Sequence, residues 1–274
     1  MIKPYYSEPN ITIYNGDCLD YFWNSYSETS DLILTSPPYG NIRDYSDLPF
    51  YTFRKVAHQL YRNLKDGGVL VWITGDQVID GSESGESFRQ ALYFKEEVGF
   101  NLHDTMIYEK DGFAYPDSNR YNQCFEFMFI FTKDSLKTFN PIEDRKNNYG
   151  NYKLTIKKGR EKDGSMRPKK SFGENIIKEF GKRSNIWRYV VGYGKSSKDR
   201  FVFDHPAIFP ENLAKDHILS WSNPGDTILD PFLGSGTTAR ACKDLGRKCI
   251  GIEISKKYCD IAVKRLTQEV FNFE

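Results

Sequence analysis

Two short segments of this 274-residue chain carry residue types at spacings that could hold and modify a small polar group. The first is Thr35-Ser36-Pro37-Pro38-Tyr39-Gly40, at the end of the apolar run Asp31–Thr35. Residues before proline are pushed to extended backbone, so Ser36 and Pro37 continue outward from that run. Pro38 has no amide hydrogen, and the turn leaves the Pro37 carbonyl to accept from a ligand. Ser36 Oγ and the Pro37 carbonyl are then two acceptors beside the flat ring of Tyr39. An aromatic amino group, with two N–H donors and a ring to stack, suits them. A plain proline turn capping a strand suits the same residues.

The second segment is Asp230-Pro231-Phe232-Leu233-Gly234-Ser235-Gly236-Thr237-Thr238-Ala239. Gly234, Gly236 and Ala239 make a Gly-x-Gly-x-x-Ala pattern, in which glycine lets the backbone turn tightly and approach a ligand. Glu253, seventeen residues after Gly236, ends the next apolar run, where its carboxylate could accept from two ribose hydroxyls. A nicotinamide or flavin dinucleotide and S-adenosylmethionine (SAM) all offer that ribose. A P-loop is excluded, because no Gly-Lys-Ser/Thr follows.

Both segments need strands to carry them. Apolar runs of strand length alternate with helical periodicity, which predicts an α/β fold with a largely parallel sheet. Strands are expected at Ile11–Tyr14, Asp31–Thr35, Val69–Thr74, Thr105–Glu109, Phe125–Phe131, Thr227–Leu229 and Lys248–Ile252. Helices are expected after Cys18 and over Phe50–Leu64, Ser87–Val98, Pro210–Ser220, Thr237–Leu245 and Ser255–Val270. The rhythm fails between Pro141 and Arg200, a stretch with 17 Lys and Arg against 7 Asp and Glu, which leaves the remainder acidic, 21 against 30. A basic block on an acidic body suggests a surface for a polyanion or a solvated loop. Its aromatics, Tyr149, Tyr152, Phe172, Phe180, Trp187, Tyr189 and Tyr193, suit nucleic acid or a small core.

Composition narrows the classes further. No run approaches the roughly 18 apolar residues of a membrane helix, and the first residues lack a secretory pattern, so no membrane partner and a cytoplasmic location are expected. The five cysteines form no Cys-x-x-Cys and there are four histidines, so neither a disulfide scaffold nor a metal cluster is expected.

Taken together, Thr-Ser-Pro-Pro-Tyr early and Asp-Pro-Phe-Leu-Gly-Ser-Gly-Thr-Thr late resemble the SAM-dependent amino-group DNA methyltransferases, in the permuted β-class order. The resemblance extends through His205-Pro206-Ala207-Ile208-Phe209-Pro210-Glu211, Pro224-Gly225-Asp226 and Gly246–Glu253, covering roughly 11–74 and 201–266. It implies a Rossmann-like seven-stranded, mostly parallel sheet with one antiparallel strand, plus a smaller basic target-recognition region. The strand ending at Asp230 would lie beside the one ending at Pro37. Residues 1–140 would be the catalytic half, 141–200 the recognition region and 201–274 the cofactor half. Ser36, Pro37, Pro38 and Tyr39 would be catalytic. Asp17 and Cys18 would meet the cofactor's adenine and Glu253 its ribose. Asp230, Pro231, Phe232, Gly234, Ser235, Gly236, Thr237 and Thr238 would wrap its methionine end.

The implied reaction moves the methyl of SAM to an exocyclic amino group of a flipped DNA base. Ser36, where many relatives carry Asp, favours N4 of cytosine slightly over N6 of adenine. Attack on the cytosine ring would need a Pro-Cys pair, and no cysteine here follows proline. The loop Asp111–Gln123 is placed to border the base or to be a plain hairpin connection. A cognate restriction endonuclease and a homodimer are further expected partners. A dinucleotide-dependent oxidoreductase, an inactive DNA-binding module and a methyltransferase acting on RNA or protein are the alternatives.

Overall fold

The computed structural model describes residues 3–25, 27–38, 50–112, 118–152, 159–160, 163–167, 176–197, 199–204 and 210–268. Nine strands form the main sheet: β1 (Tyr6–Glu8), β2 (Ile11–Asn15), β3 (Ser30–Thr35), β4 (Leu64–Thr74), β5 (Asn101–Lys110), β6 (Phe125–Thr132), β7 (Ile186–Tyr189), β8 (Thr227–Asp230) and β9 (Lys248–Glu253). Their spatial order is β1-β2-β9-β8-β3-β4-β6-β5-β7. All run parallel except β1 against β2, and β6 between β4 and β5. Leu32, Ile33 and Leu34 in β3 and Val69 through Ile73 in β4 are at most 1% exposed. Such runs, apolar on both faces, are what a doubly covered parallel sheet requires.

Among the described residues six α-helices accompany the sheet: α1 (Cys18–Asn24), α2 (Phe50–Asn63), α3 (Glu86–Tyr93), α4 (Glu211–Trp221), α5 (Thr237–Leu245) and α6 (Lys256–Thr267). Phe53, Val56, Ala57 and Leu60 of α2 are buried at helical spacing. They join an aromatic core in which Phe94 meets Phe131, Trp72 and Phe53 at 5.0, 5.1 and 5.2 Å between ring centres. The Trp72 indole N–H is satisfied by Gln90 Oε1 at 2.9 Å. The helix expected over Ser87–Val98 is α3 followed by one π-helical turn, Phe94–Val98, closed by Gly99 at φ 97°.

In the main sheet two strands exceed the seven expected. β1 is a three-residue edge, too short to leave an apolar signature. β7 comes from the basic stretch and adds parallel to β5. Its alternation is plain: Trp187 and Tyr189 are buried, Ile186 and Arg188 exposed. Trp187 packs 4.7 Å from the His217 ring, and Tyr189 donates to Asp216 Oδ2 at 2.7 Å. These two aromatics are core residues, unlike the exposed Tyr149, Tyr152, Phe180 and Tyr193; Phe172 lies outside the described residues.

Two compact units result: 1–140 with 185–274, and Pro141–Ser184. The smaller unit ends earlier than the boundary at 200 read from charge, because β7 is claimed by the sheet. It holds short antiparallel pairs, Arg145–Lys146 with Phe180–Gly181 and Gly159–Arg160 with Met166–Arg167. Lys178 pairs with Glu143 at 2.7 Å, and Arg183 with Asp144. Among the described residues no helix is long and apolar enough to cross a membrane.

His217 on α4 is fully buried, accepting from Trp221 Nε1 at 3.2 Å, and burial pushes its imidazole down to about 3. The unfolded chain takes up this proton below about pH 6.5 and the native one does not, so the stabilisation is present above that pH and lost as pH falls. Urea unfolding at pH 7.5 and 5.0 should show about 2 kcal/mol of lost stability from this group. His217→Gln keeps an acceptor for Trp221 and cannot charge, so its pH slope should be shallower by that amount.

Candidate active site

β8 and β3 lie side by side where the sheet order reverses, with Ile228 opposite Leu32 and Leu229 opposite Ile33. A crevice outside the carboxyl ends of strands at such a reversal is where open α/β sheets take ligands. One buried carboxylate ties the two strand ends together. Asp230, 1% exposed, accepts from Thr35 Oγ1 at 2.7 Å, across 195 residues of chain. It also accepts from Thr238 Oγ1 at 2.6 Å and Phe232 N–H at 3.1 Å. Burial pushes its carboxyl up to about 6, although all three donors pull the other way. Thr35 precedes Ser36, and Thr238 sits in the first turn of α5. Asp230 therefore staples the proline corner to the glycine loop. Within that corner Pro37 is buried, and Ser36 and Pro38 are half-buried. Tyr39 and Gly40, like residues 113–117 and 205–209, lie outside the described residues.

The glycine loop is held on two sides. Gly234 and Gly236 have φ of 54° and 82°, and a Cβ on Gly236 would stand 2.8 Å from Ala262 Cβ. Glycine is required there both for backbone sign and for space. Leu233 N–H donates to the Ile252 carbonyl at 2.9 Å. Glu253, 8% exposed, accepts from Gly234 N–H on Oε2 and from Ser255 N–H on Oε1, both at 2.8 Å. Burial raises its pKa, and these N–H donors draw it down. Pro231, Ser235, Thr237 and Thr238 are buried and Phe232 is half-buried.

β2 reaches the same edge. Asn15 pairs with Glu253 in register, and Asn15 Nδ2 donates to the carbonyls of Glu253 and Ile254 at 3.0 Å each. Asp17, two residues on, is exposed and caps α1 through Leu19 N–H at 2.8 Å. Cys18 is buried, which pushes its thiol up to about 12 and keeps it protonated. The strand ends thus bring Asp17, Glu253, the glycine loop and the Ser36–Pro38 corner to one edge of the sheet, in the order β2-β9-β8-β3.

Some contributors went unread in the sequence. Thr35 looked like the last residue of a strand, and nothing local marks it as a partner of Asp230. Arg265, fully buried, donates to Thr237 Oγ1 at 2.9 Å. Its signal was a cation on the apolar stripe of α6, between Ile261, Ala262 and Leu266.

The family model for N6/N4 methyltransferases, described as DNA methylase, matches residues 30–264, from the first residue of β3 into α6. The chain belongs to this DNA methylase family. It is 58% identical over 252 residues to the orphan methyltransferase M.BamHII of Bacillus amyloliquefaciens, covering 92% of this chain and 90% of that protein. To the type II methyltransferase M.BglII of Bacillus subtilis it is 30% identical over 266 residues, with 94% and 69% covered. Its fold is that of the PvuII DNA methyltransferase (cytosine-N4-specific), with a TM-score of 0.72 at 20% identity over 99% of this chain and 91% of that one. M1.HpyAVI, solved as a SAM complex, aligns with a TM-score of 0.60 at 25% identity, covering 94% and 100%. The DNA methylase match runs through both corners, so the oxidoreductase alternative falls away.

Thr35→Val keeps the shape of the side chain and removes one donor from Asp230. Because the native carboxyl titrates near 6, above its unfolded value, its contribution to stability is present at low pH and lost as pH rises through 6. The variant raises that pKa further. Chemical denaturation should therefore show a destabilisation of about 1–3 kcal/mol at pH 8, shrinking towards pH 5.

Proposed function

We propose that this chain transfers the methyl group of SAM to an exocyclic amino group of a DNA base, N4 of cytosine in preference to N6 of adenine. The observation that carries this reading is the Thr35–Asp230 hydrogen bond, which sets the Ser36-Pro37-Pro38 corner beside the glycine loop.

The residues present suit the cofactor. Each Glu253 oxygen accepts one backbone N–H and retains a lone pair for one of the two ribose hydroxyls. Asp17 and Cys18, one strand away, would meet the adenine, and the loop from Asp230 to Thr238 would surround the methionine end. SAM, when bound, supplies a methyl group already activated by its sulfonium, so the protein's task is to prepare and align the acceptor.

The acceptor nitrogen shares its lone pair with an aromatic ring. Ser36 Oγ and the Pro37 carbonyl accept hydrogen bonds from its two N–H groups, which favours a tetrahedral nitrogen with its lone pair free to attack. As the N–C bond forms, the sulfonium S–C bond would break to leave the thioether, and one N–H proton would be lost to solvent. Pro38 contributes no N–H to compete for those acceptors. Holding the reacting atoms about 3–3.5 Å apart and in line supplies much of the acceleration. Extruding the base from a duplex costs a few kcal/mol, and stacking on Tyr39 returns about 1–3 kcal/mol. Residues 1–140 serve as the catalytic half and 201–274 as the cofactor half. The smaller unit, Pro141–Ser184, has 13 Lys and Arg against 6 Asp and Glu. It contacts DNA phosphates and recognises the target, with binding that weakens steeply with salt.

Nucleoside mass spectrometry of DNA from cells expressing the chain is expected to show N4-methylcytosine. N6-methyladenine would change the base and keep the chemistry; neither product would overturn the reading. Ser36→Ala should lower kcat about 10²-fold while leaving SAM affinity at the wild-type value in equilibrium binding. Glu253→Gln turns an acceptor pair into one acceptor and one donor, and should raise the Kd for SAM about 10- to 100-fold by calorimetry.

A further inference from the structure

Arg265 is a wholly buried cation in the apolar face of α6, and the reaction described above makes no use of its charge. Its guanidinium gathers three segments remote in sequence. Nη1 donates to Thr237 Oγ1 at 2.9 Å and lies 3.5 Å from the Ser235 carbonyl. Nη2 donates to Glu211 Oε1, at the start of α4, and lies 3.5 Å from Ser197 Oγ. Among the described residues Nε has no hydrogen-bond partner, and it faces Asp199 Oδ2 at 3.5 Å. The hub is tied internally as well: Ser197 Oγ donates to Glu211 Oε1 and accepts from Asp199 N–H at 3.1 Å, and Glu211 N–H donates to the Ser196 carbonyl at 3.1 Å.

Stability alone is a weak reason for such a group. A buried ion cluster is often no more stabilising than apolar side chains of the same volume, whereas its fork of donors imposes direction. The direction imposed here falls on Ser235 and Thr237, the two neighbours of Gly236. A turn with Gly234 and Gly236 both in the left-handed region has no side chains at those positions to fix it, and so must be held by its neighbours. Glu253 holds the Gly234 end through a backbone N–H. Arg265 holds the other end.

We propose that Arg265 is a positioning residue for the cofactor loop, setting the Ser235–Thr237 backbone in the geometry that binds SAM, with Ser197, Asp199 and Glu211 orienting its guanidinium. The proposal rests on the reading of this loop as the SAM site. It makes Ser197 and Asp199, nearly forty positions upstream of the loop, determinants of cofactor affinity.

Calorimetric titration of SAM into the full-length wild type, Arg265→Lys, Arg265→Met, Asp199→Asn and Ser197→Ala tests it, with thermal unfolding of each in parallel. Arg265→Met should raise the Kd about tenfold or more at unchanged stoichiometry, and Arg265→Lys should recover part of that loss. Asp199→Asn and Ser197→Ala, milder changes, should each raise it about threefold. A purely structural hub gives the opposite pattern: lower melting temperatures and reduced stoichiometry, with the wild-type Kd in the remaining folded protein. That pattern overturns the proposal, as does a wild-type Kd in both Asp199→Asn and Ser197→Ala if Arg265→Met fails to fold. A wild type that binds no SAM would remove the reading of the loop itself, and this proposal with it.

Discussion

A carboxylate taken out of water is stable only if donors replace the water it leaves, and in this protein the donors that Asp230 recruits define the site. Thr35 brings the end of β3, Thr238 the start of α5, and Phe232 N–H the first turn of the glycine loop. Desolvation still outweighs them, leaving the carboxyl near 6. Asp230 thus serves the architecture: both oxygens accept hydrogen bonds and the side chain is 1% exposed. What it exposes instead is the geometry of its neighbours, the Ser36–Pro38 corner on one side and the loop to Gly236 on the other.

The rest of the edge extends that arrangement by the same means, side chains that reach from one segment to the next. Glu253 is nearly enclosed and bonded to two backbone N–H groups, yet each oxygen has capacity left. Asn15 locks β2 beside it, which brings Asp17 to the edge. Arg265 approaches the loop from α6, and the near contact with Ala262 explains why a glycine must follow Ser235. The links of Asp230 to Thr35, Glu253 to Gly234 and Asn15 to Glu253 join segments that parallel pairing has already made adjacent, so the sheet order is the precondition of the chemistry.

Much of this could be read along the chain. The helix Thr237–Leu245 and the strands near 31–35, 125–131 and 248–252 stand where apolar periodicity placed them, bounded by glycines such as Gly236 and Gly246 whose left-handed backbone stops an element sharply. β7 was missed because four alternating residues sit within a basic stretch, where charge dominates the pattern. Trp187 and Tyr189 suited a nucleic-acid surface or a small core alike, because their neighbours in space, His217 and Asp216, come from a helix about thirty residues away. The long spacing between the two chemical segments was legible as two motifs, but their meeting came from a family resemblance and not from the residues.

By itself the sequence determined what depends on neighbours along the chain: the extended proline corner, the glycine turn, the strand that delivers each, and the carboxylate that ends β9. Backbone sterics and short-range periodicity decide these, and both are written in consecutive residues. Tertiary structure alone decided that Thr35 reaches Asp230, that Asp230 faces inward while Glu253 keeps spare acceptors, and that Arg265 is a buried brace for the loop. Those outcomes depend on burial, and burial is set by which distant strands pair.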